Sequence, residues 1–266
     1  MKCFVCNYNQ WSKKYDNLLR CEKCGFIRAE NHFFNIKPEE IYNQKYFSKG
    51  DYADYIKEES SLVDNFKNRL KEIVKFKKRG QLLEIGSAYG YFLKEAGKYF
   101  AVTGIDIDRY VCEQARNISK KKIICGNFLD INFKNKKYDV ICLFDTIEHL
   151  KQPKEYLQKI FKILKNAGIV AIETGDIASL LPKIQGHKWR LIKPKYHLSY
   201  FSKNTLTRLL KDTGFEIVHI SHPGFTRTLQ QIIYKLFGFN LNKDSRLSEL
   251  KIKVNTFDIV FVITKK

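Results

Sequence analysis

The segment Gln81–Ile107, QLLEIGSAYGYFLKEAGKYFAVTGIDI, constrains the fold more than any other part of the chain. An apolar run, Leu82–Ile85, meets a glycine turn; a helical stretch, a second apolar run and an acid, Asp106, follow. Gly86, Ala88 and Gly90 keep a G-x-[G/A]-x-G rhythm, and Asp106 comes twenty residues after Gly86. In an open α/β sheet, small residues at such a turn let the backbone approach a ligand. A carboxylate at the tip of the second strand accepts hydrogen bonds from ribose hydroxyls. Gly86, Ser87, Ala88, Gly90, Asp106 and the adjacent Ile107 are therefore candidate nucleoside contacts. The G-x-G-x-x-G spacing of dinucleotide binders is absent. Glu84 adds a second acid facing the turn, and two carboxylates would repel a pyrophosphate. The pair favours a cationic nucleoside such as S-adenosylmethionine.

Alternation of strand and helix patterns continues beyond this unit. The spacing predicts strands at Leu82–Ile85, Val102–Ile107, Ile123–Cys125, Tyr138–Phe144 and Ile169–Thr174. Helices are expected at Gly90–Tyr99, Arg109–Ser119 and Pro153–Leu164, the last with proline at its start. Thr205–Asp212 reads as another helix, stopped by Gly214, before two final strands, Phe215–Ser221 and Phe257–Thr264. Such alternation argues for a parallel sheet covered by helices on both faces. The insert Pro223–Asn255 carries a helical apolar face at Thr226–Phe237, read as packing on the core, closing over an acceptor or touching a membrane surface.

The N-terminus has a different character. Cys3-x-x-Cys6 and Cys21-x-x-Cys24, fourteen residues apart, have the spacing of a zinc ribbon, in which four thiolates bind a structural ion and leave no open position. Cys3, Cys6, Cys21 and Cys24 are the expected ligands; Cys112, Cys125 and Cys142 read as core. Replacing Cys21 by serine is expected to release metal and loosen residues before about position 40. The aromatic linker IYNQKYFSKGDYADYIKEES follows, then a lysine-rich amphipathic helix, Ser61–Lys77. The organisation expected is a ribbon at 1–36, linker and helix at 37–80, and an α/β domain at 81–266.

A net charge of +20 admits a polyanionic partner. Only ten of the 48 basic residues are arginine, the usual choice for planar phosphate recognition, so a lysine-biased composition is the competing reading. No stretch approaches the roughly 18 apolar residues of a membrane span, and the first ten residues lack a signal-peptide core, so a cytoplasmic location is expected.

The ordered motifs resemble a class I S-adenosylmethionine-dependent methyltransferase over Gln81–Lys266. LEIGSAYG resembles that family's first motif, GIDID its ribose acid, GNFLDINF its adenine-side loop, YDVICLFDTIEHLKQP its fourth-strand motif and NAGIVAIETGD its fifth. The resemblance implies a Rossmann-like, doubly wound seven-stranded sheet with an antiparallel last strand. It implies that Asn127 accepts the adenine amino group, Phe128 lies on or beside the adenine, and Asp145 contacts the cofactor. Ribbon and aromatic linker together resemble a branch that includes sugar methyltransferases of antibiotic and surface-polysaccharide pathways, where a tyrosine placed like Tyr46 folds over the cofactor. The lobe of some sugar C-methyltransferases is missing, which favours O- or N-methylation. A sugar or glycan precursor is the expected acceptor. RNA is the alternative acceptor, and a salt titration of RNA binding separates the two.

Asp145, Glu148 and His149 form a D-x-x-E-H cluster at the exit of the fourth strand. His149 is the expected general base, because an unperturbed imidazole titrates near neutrality; Glu148 is the expected helper and His197 a second base or ligand. Quinone and small-RNA methyltransferases have a similar E-x-x-E-H set that binds Mg2+, which makes Mg2+ at Asp145, Glu148 and His149 the competing reading.

Overall fold

The computed structural model describes residues 1–36, 40, 59–237 and 250–266. The aromatic linker, Tyr46 included, lies outside the described residues. In chain order the elements are β1 (Trp11–Tyr15), β2 (Leu18–Cys21), β3 (Ile27–Ala29), α1 (Asn31–Phe34), α2 (Glu59–Phe76), β4 (Gln81–Ile85), α3 (Tyr91–Ala96) and β5 (Ala101–Asp106). They continue with α4 (Arg109–Ser119), β6 (Lys122–Cys125), β7 (Tyr138–Phe144), α5 (Pro153–Ile163), β8 (Leu164–Gly175), α6 (Leu180–Gln185), β9 (Ser199–Tyr200) and α7 (Lys203–Asp212). The last are β10 (Glu216–Ser221), β11 (Phe225–Thr228), α8 (Leu229–Phe237), β12 (Lys251–Val254) and β13 (Ile259–Lys265).

Seven strands form the central sheet in the order β10-β13-β8-β7-β4-β5-β6. Strands β4 to β8 run parallel, while β13 runs antiparallel to both β8 and β10. The expected Rossmann-like sheet with its antiparallel last strand is the observed one. Because side chains alternate along a strand, Leu82 and Leu83 serve opposite faces. Leu82, Val140, Cys142 and Ala171 pack with Leu70 and Ile73 of α2 and Phe92 and Leu93 of α3. Leu83, Ile141, Leu143 and Val170 pack with Leu157 and Ile160 of α5 and Leu206 and Leu209 of α7. Each fully buried leucine or isoleucine contributes about 1.5–3 kcal/mol, so both faces must be covered for the sheet to persist. Gly104 shows how close α3 comes to the sheet: a Cβ there would lie 2.5 Å from Leu93 Cδ1 and 2.8 Å from Ile123 Cδ1.

Two differences from the sequence reading have plain causes. The helix of the C-terminal insert starts at Leu229 rather than Thr226, because Phe225–Thr228 pairs antiparallel with Lys251–Val254. Ser199–Tyr200 is too short to announce itself as a strand, yet it pairs with Arg28 and Ile27 and extends the N-terminal sheet to β1-β2-β3-β9. Val5, Phe26 and two of the cysteines consequently share a core cluster with the α5–α7 face.

Candidate active site

The strands β4, β5 and β7 end at one cavity of about 330 Å³, lined by the turn Gly86–Ala88, by Asp106 and Ile107, by Gly126–Leu129 and by Asp145 and Thr146. Gly86 is held at φ 76°, and a Cβ there would lie 2.4 Å from Thr146 Oγ1. Ala88 takes φ 42°, a left-handed conformation that costs an L-residue roughly 1–2 kcal/mol. Its amide donates to Asp106 Oδ2 at 2.9 Å, while the Asp108 amide donates to Oδ1 at 3.2 Å. Asp106 thereby fixes the turn and still has lone pairs to offer. Burial and neighbouring Asp108 raise its pKa against the three backbone amides that lower it. Gly90 serves differently: it caps α3 at φ 75° and does not line the cavity.

Among the described residues, three buried polar atoms in the cavity wall have no partner: Ser87 Oγ in the turn and two charged groups. Glu84 Oε2 is one, and burial together with Asp106 pushes the Glu84 carboxyl well above the usual range. Arg69 Nη2 is the other; its Nε donates to Glu173 Oε2 in an ion pair whose side chains are 4% and 7% exposed. An ammonium beside Glu84 and a carboxylate beside Arg69 would satisfy both atoms, and an amino acid carries both groups.

On the nucleobase side, Asn127 Oδ1 accepts from the Leu129 amide at 3.1 Å and from the Tyr156 hydroxyl at 2.7 Å. A backbone amide can only donate, so this orientation is fixed, and the Asn127 NH2 is the group left to face a base. That differs from the expected use of its oxygen. The Phe128 ring is 2% exposed and packs on Phe133 at 5.5 Å and Tyr156 at 5.3 Å, so it is chiefly a core ring. Lys159 spends its ammonium on three carbonyls of the same loop, those of Phe128, Leu129 and Ile131, at 2.7–2.8 Å.

The D-x-x-E-H cluster opens out. Asp145 sits at φ 44°, its side chain open to the cavity, and Ile147–His149 forms a short 3-10 turn. Although Asp145 is exposed to the cavity space, the protein walls around it and the nearby Glu173 raise its carboxyl to about 7. Glu148 points away from the cavity, accepts from Thr174 Oγ1 at 2.8 Å, and is raised to about 8 by burial and Asp145. His149 lines the cavity, its Nδ1 3.0 Å from the Tyr196 carbonyl, and His197 Nδ1 lies 2.8 Å from the Leu191 carbonyl. A carbonyl only accepts, so both rings carry hydrogen on Nδ1 and a lone pair on Nε2. The two rings meet edge to face at 4.8 Å. Burial lowers His149 to about 4, and burial together with His149 holds His197 well below the ordinary imidazole value. The imidazole expected to titrate near neutrality therefore does not; the carboxyls do. Ligand atoms of Glu148, His149 and His197 lie within 4.8 Å of one another, whereas Asp145 stands outside this group.

At the N-terminus the four sulfurs also lie within 4.8 Å of one another, with Cys3 to Cys24 at 3.6 Å and Cys6 to Cys21 at 3.5 Å. Burial pushes the Cys3 thiol up, and Cys24 to about 11. A cation in their midst would hold these sulfurs as thiolates.

Comparison with known proteins matches residues 55–220 to the family described as methyltransferase domain. The chain belongs to the methyltransferase-domain family. An uncharacterized protein of Methanocaldococcus jannaschii is 26% identical over 60% of this chain and 76% of its own length. A ubiquinone biosynthesis O-methyltransferase of Rickettsia canadensis is 26% identical over 52% of this chain and 63% of its own. An S-adenosylmethionine-dependent methyltransferase of Archaeoglobus fulgidus shares the fold, with a TM-score of 0.57 at 21% identity over 81% of this chain and 100% of that one.

Methyl transfer from S-adenosylmethionine is the activity that follows from family membership, and the cavity fits that group. The partnerless Glu84 and Arg69 atoms match the ammonium and carboxylate of its methionine part, and Asp106 matches its ribose diol. Arg69 was missed in the sequence, although a signal was there: it stands in the helix stripe Leu62–Phe66–Arg69–Ile73, whose other three members are hydrophobic. Glu173, an acid within the apolar run IVAIETG, is the same kind of signal. Tyr156 and Lys159, one turn apart on α5, gave none. Replacing Lys159 by methionine should strand three carbonyls and weaken binding of S-adenosylhomocysteine about tenfold by calorimetry. Unchanged affinity would show that the loop holds its shape without the ammonium.

Proposed function

We propose that this methyltransferase moves a methyl group from S-adenosylmethionine to a hydroxyl of a small, ring-bearing molecule such as a sugar or glycan precursor. What carries the reading is one cavity. It joins partnerless groups suited to a cationic amino acid nucleoside to a wall of His149, Tyr196, Phe66, Phe144 and Phe225. Bound cofactor supplies an activated methyl on a sulfonium, so the protein has to align the acceptor and take its proton. His149, its Nδ1 hydrogen spent on the Tyr196 carbonyl, takes that proton at Nε2. Asp145, once ionised, gives the site the negative character that suits a sulfonium, and Glu84 joins it when a bound ammonium draws off its proton. Glu148 and His197 hold the His149 turn from behind. No helix among the described residues is long and apolar enough to cross a membrane.

The four cysteines are proposed to hold structural Zn2+. At the second cluster, two imidazoles and one carboxylate suit manganese or zinc better than the Mg2+ of the competing reading, which prefers an oxygen shell. Asp145 does not join that set.

Asp106→Ala tests the cofactor pocket. Losing charge-assisted hydrogen bonds to both ribose hydroxyls costs roughly 1.5–3 kcal/mol, so S-adenosylmethionine should bind about tenfold to a hundredfold more weakly by calorimetry. Unchanged affinity would sink the assignment. The Ala88 turn also loses its anchor, and Asp106→Asn, which keeps one acceptor oxygen, should lose less.

A further inference from the structure

The N-terminal four-cysteine unit touches the wall of the active-site cavity at two places. Strand β3 pairs antiparallel with β9, Ile27 opposite Tyr200 and Arg28 opposite Ser199. One residue on, the Ala29 amide donates to the Leu198 carbonyl at 3.0 Å, and the Leu198 amide donates to the Glu148 carbonyl at 2.8 Å. Leu198 therefore bridges the N-terminal sheet and the turn that carries His149. Its neighbours are the two residues that matter there: His197, whose ring meets His149, and Tyr196, whose carbonyl orients the His149 ring. Behind them Phe26 packs on Phe201 with ring centroids 5.2 Å apart, both rings fully buried. The second contact is direct. Ile36, just past α1, lines the cavity, and its carbonyl accepts from Lys151 Nζ at 2.8 Å.

We propose that this unit is a positioning element of the active site: strand β3 clamps Tyr196–Tyr200 against the Glu148 backbone and so fixes the His149 and His197 rings beside the acceptor. A unit that only stabilised the fold would have no need of the Leu198 bridge. The contact lies at the β7 and β8 end of the cavity, away from Asp106 and Asn127. It should therefore govern the acceptor side and leave nucleoside binding alone. The inference rests on the methyl-transfer reading only in calling that side the acceptor side.

Two variants test it by different routes. Cys21→Ser attacks the metal. Ala29→Pro removes the one amide that reaches Leu198 and leaves all four cysteines in place. In the full-length protein, Ala29→Pro should keep wild-type zinc content by elemental analysis, whereas Cys21→Ser should lose it. In both, hydrogen exchange at Leu198–Tyr200 should quicken at least about tenfold, and carbethoxylation of His149 and His197 by diethyl pyrocarbonate should quicken with it. Exchange in β4 and β7 should stay at wild-type rates, and affinity for S-adenosylhomocysteine should stay within about threefold. Exchange at Leu198 within about twofold of wild type in both variants would overturn the proposal. Acceleration spread evenly through β4 and β7 would overturn it too, since the unit would then be a general stabiliser. If the wild-type protein fails to bind S-adenosylhomocysteine, the methyl-transfer reading falls and the exchange result still decides the clamp.

Discussion

Replacing Arg69 by methionine is expected to cost the folded chain about 3–5 kcal/mol, the usual penalty for stranding one member of a buried ion pair. The partner left behind is Glu173, 7% exposed and close enough to Asp145 to raise that carboxyl. Burial already raises Glu173, and Arg69 is the group that opposes the rise. Without the guanidinium, the folded variant would hold a proton on Glu173 that the unfolded chain gives up at its ordinary carboxylate value. Stability of the variant relative to wild type should therefore fall as pH climbs from that ordinary value through the folded one. Urea unfolding at pH 5 and pH 8 checks the sign: the deficit should be larger at pH 8. Adding Glu173→Gln should recover most of the loss, because no buried charge then remains. A single-variant deficit below about 1 kcal/mol at pH 8 would show that the pair is more open to water than its exposure implies. Affinity for S-adenosylmethionine should fall in both variants, since neither offers a donor to the methionine carboxylate.

How much of this was legible in the sequence depends on whether a signal was local. The first five strands of the sheet, the glycine turn and Asp106 could be read because each strand carries its own pattern and Asp106 lies only twenty residues from Gly86. Tyr138–Phe144 and Arg109–Ser119 matched their elements at both ends. The four cysteines were legible for the same reason, as two short motifs. What escaped was made by residues far apart. Arg69 meets Glu173 across 104 positions, and Ile27 meets Tyr200 across the whole α/β unit. A two-residue strand such as Ser199–Tyr200 has no pattern to show; it exists because β3 offers it an edge. The pKa order of the cluster was equally hidden. His149 looked like an ordinary imidazole, and only packing against the Lys193–Leu198 segment reveals that burial drives it down while Asp145 and Glu148 go up.

That inversion shapes the result expected for the acceptor side. His149→Ala should lower turnover on a hydroxyl acceptor about 10²–10⁴-fold, the range of a general base, with cofactor affinity close to wild type because Glu84, Arg69 and Asp106, not this ring, are the groups matched to the cofactor. The wild-type pH profile is the sharper readout. His149 is held near 4, so its lone pair is present throughout pH 5.5–9, and protonation of this ring cannot shape the rate there. Asp145 and Glu148, raised to about 7 and about 8, lose their protons inside that window. Ionised, Asp145 places negative charge in the cavity that holds the sulfonium, and Glu148 places it behind the His149 and His197 rings, favouring the proton-bearing imidazole; the rate should rise with pH along a limb between about 7 and 8 that belongs to the pair. Glu148→Gln should shift or flatten that limb; His149→Ala should lower the whole profile without moving it. A limb near 6.5 that vanishes in His149→Ala would mean that the imidazole is solvated and titrates as an ordinary base. If chelator abolishes activity and manganese or zinc restores it, Glu148, His149 and His197 are ligands, and the limb reports competition of protons for the metal. An amine acceptor, nucleophilic once neutral, would need little from His149. A loss under about threefold with a confirmed amine would therefore remove the base and keep the pocket.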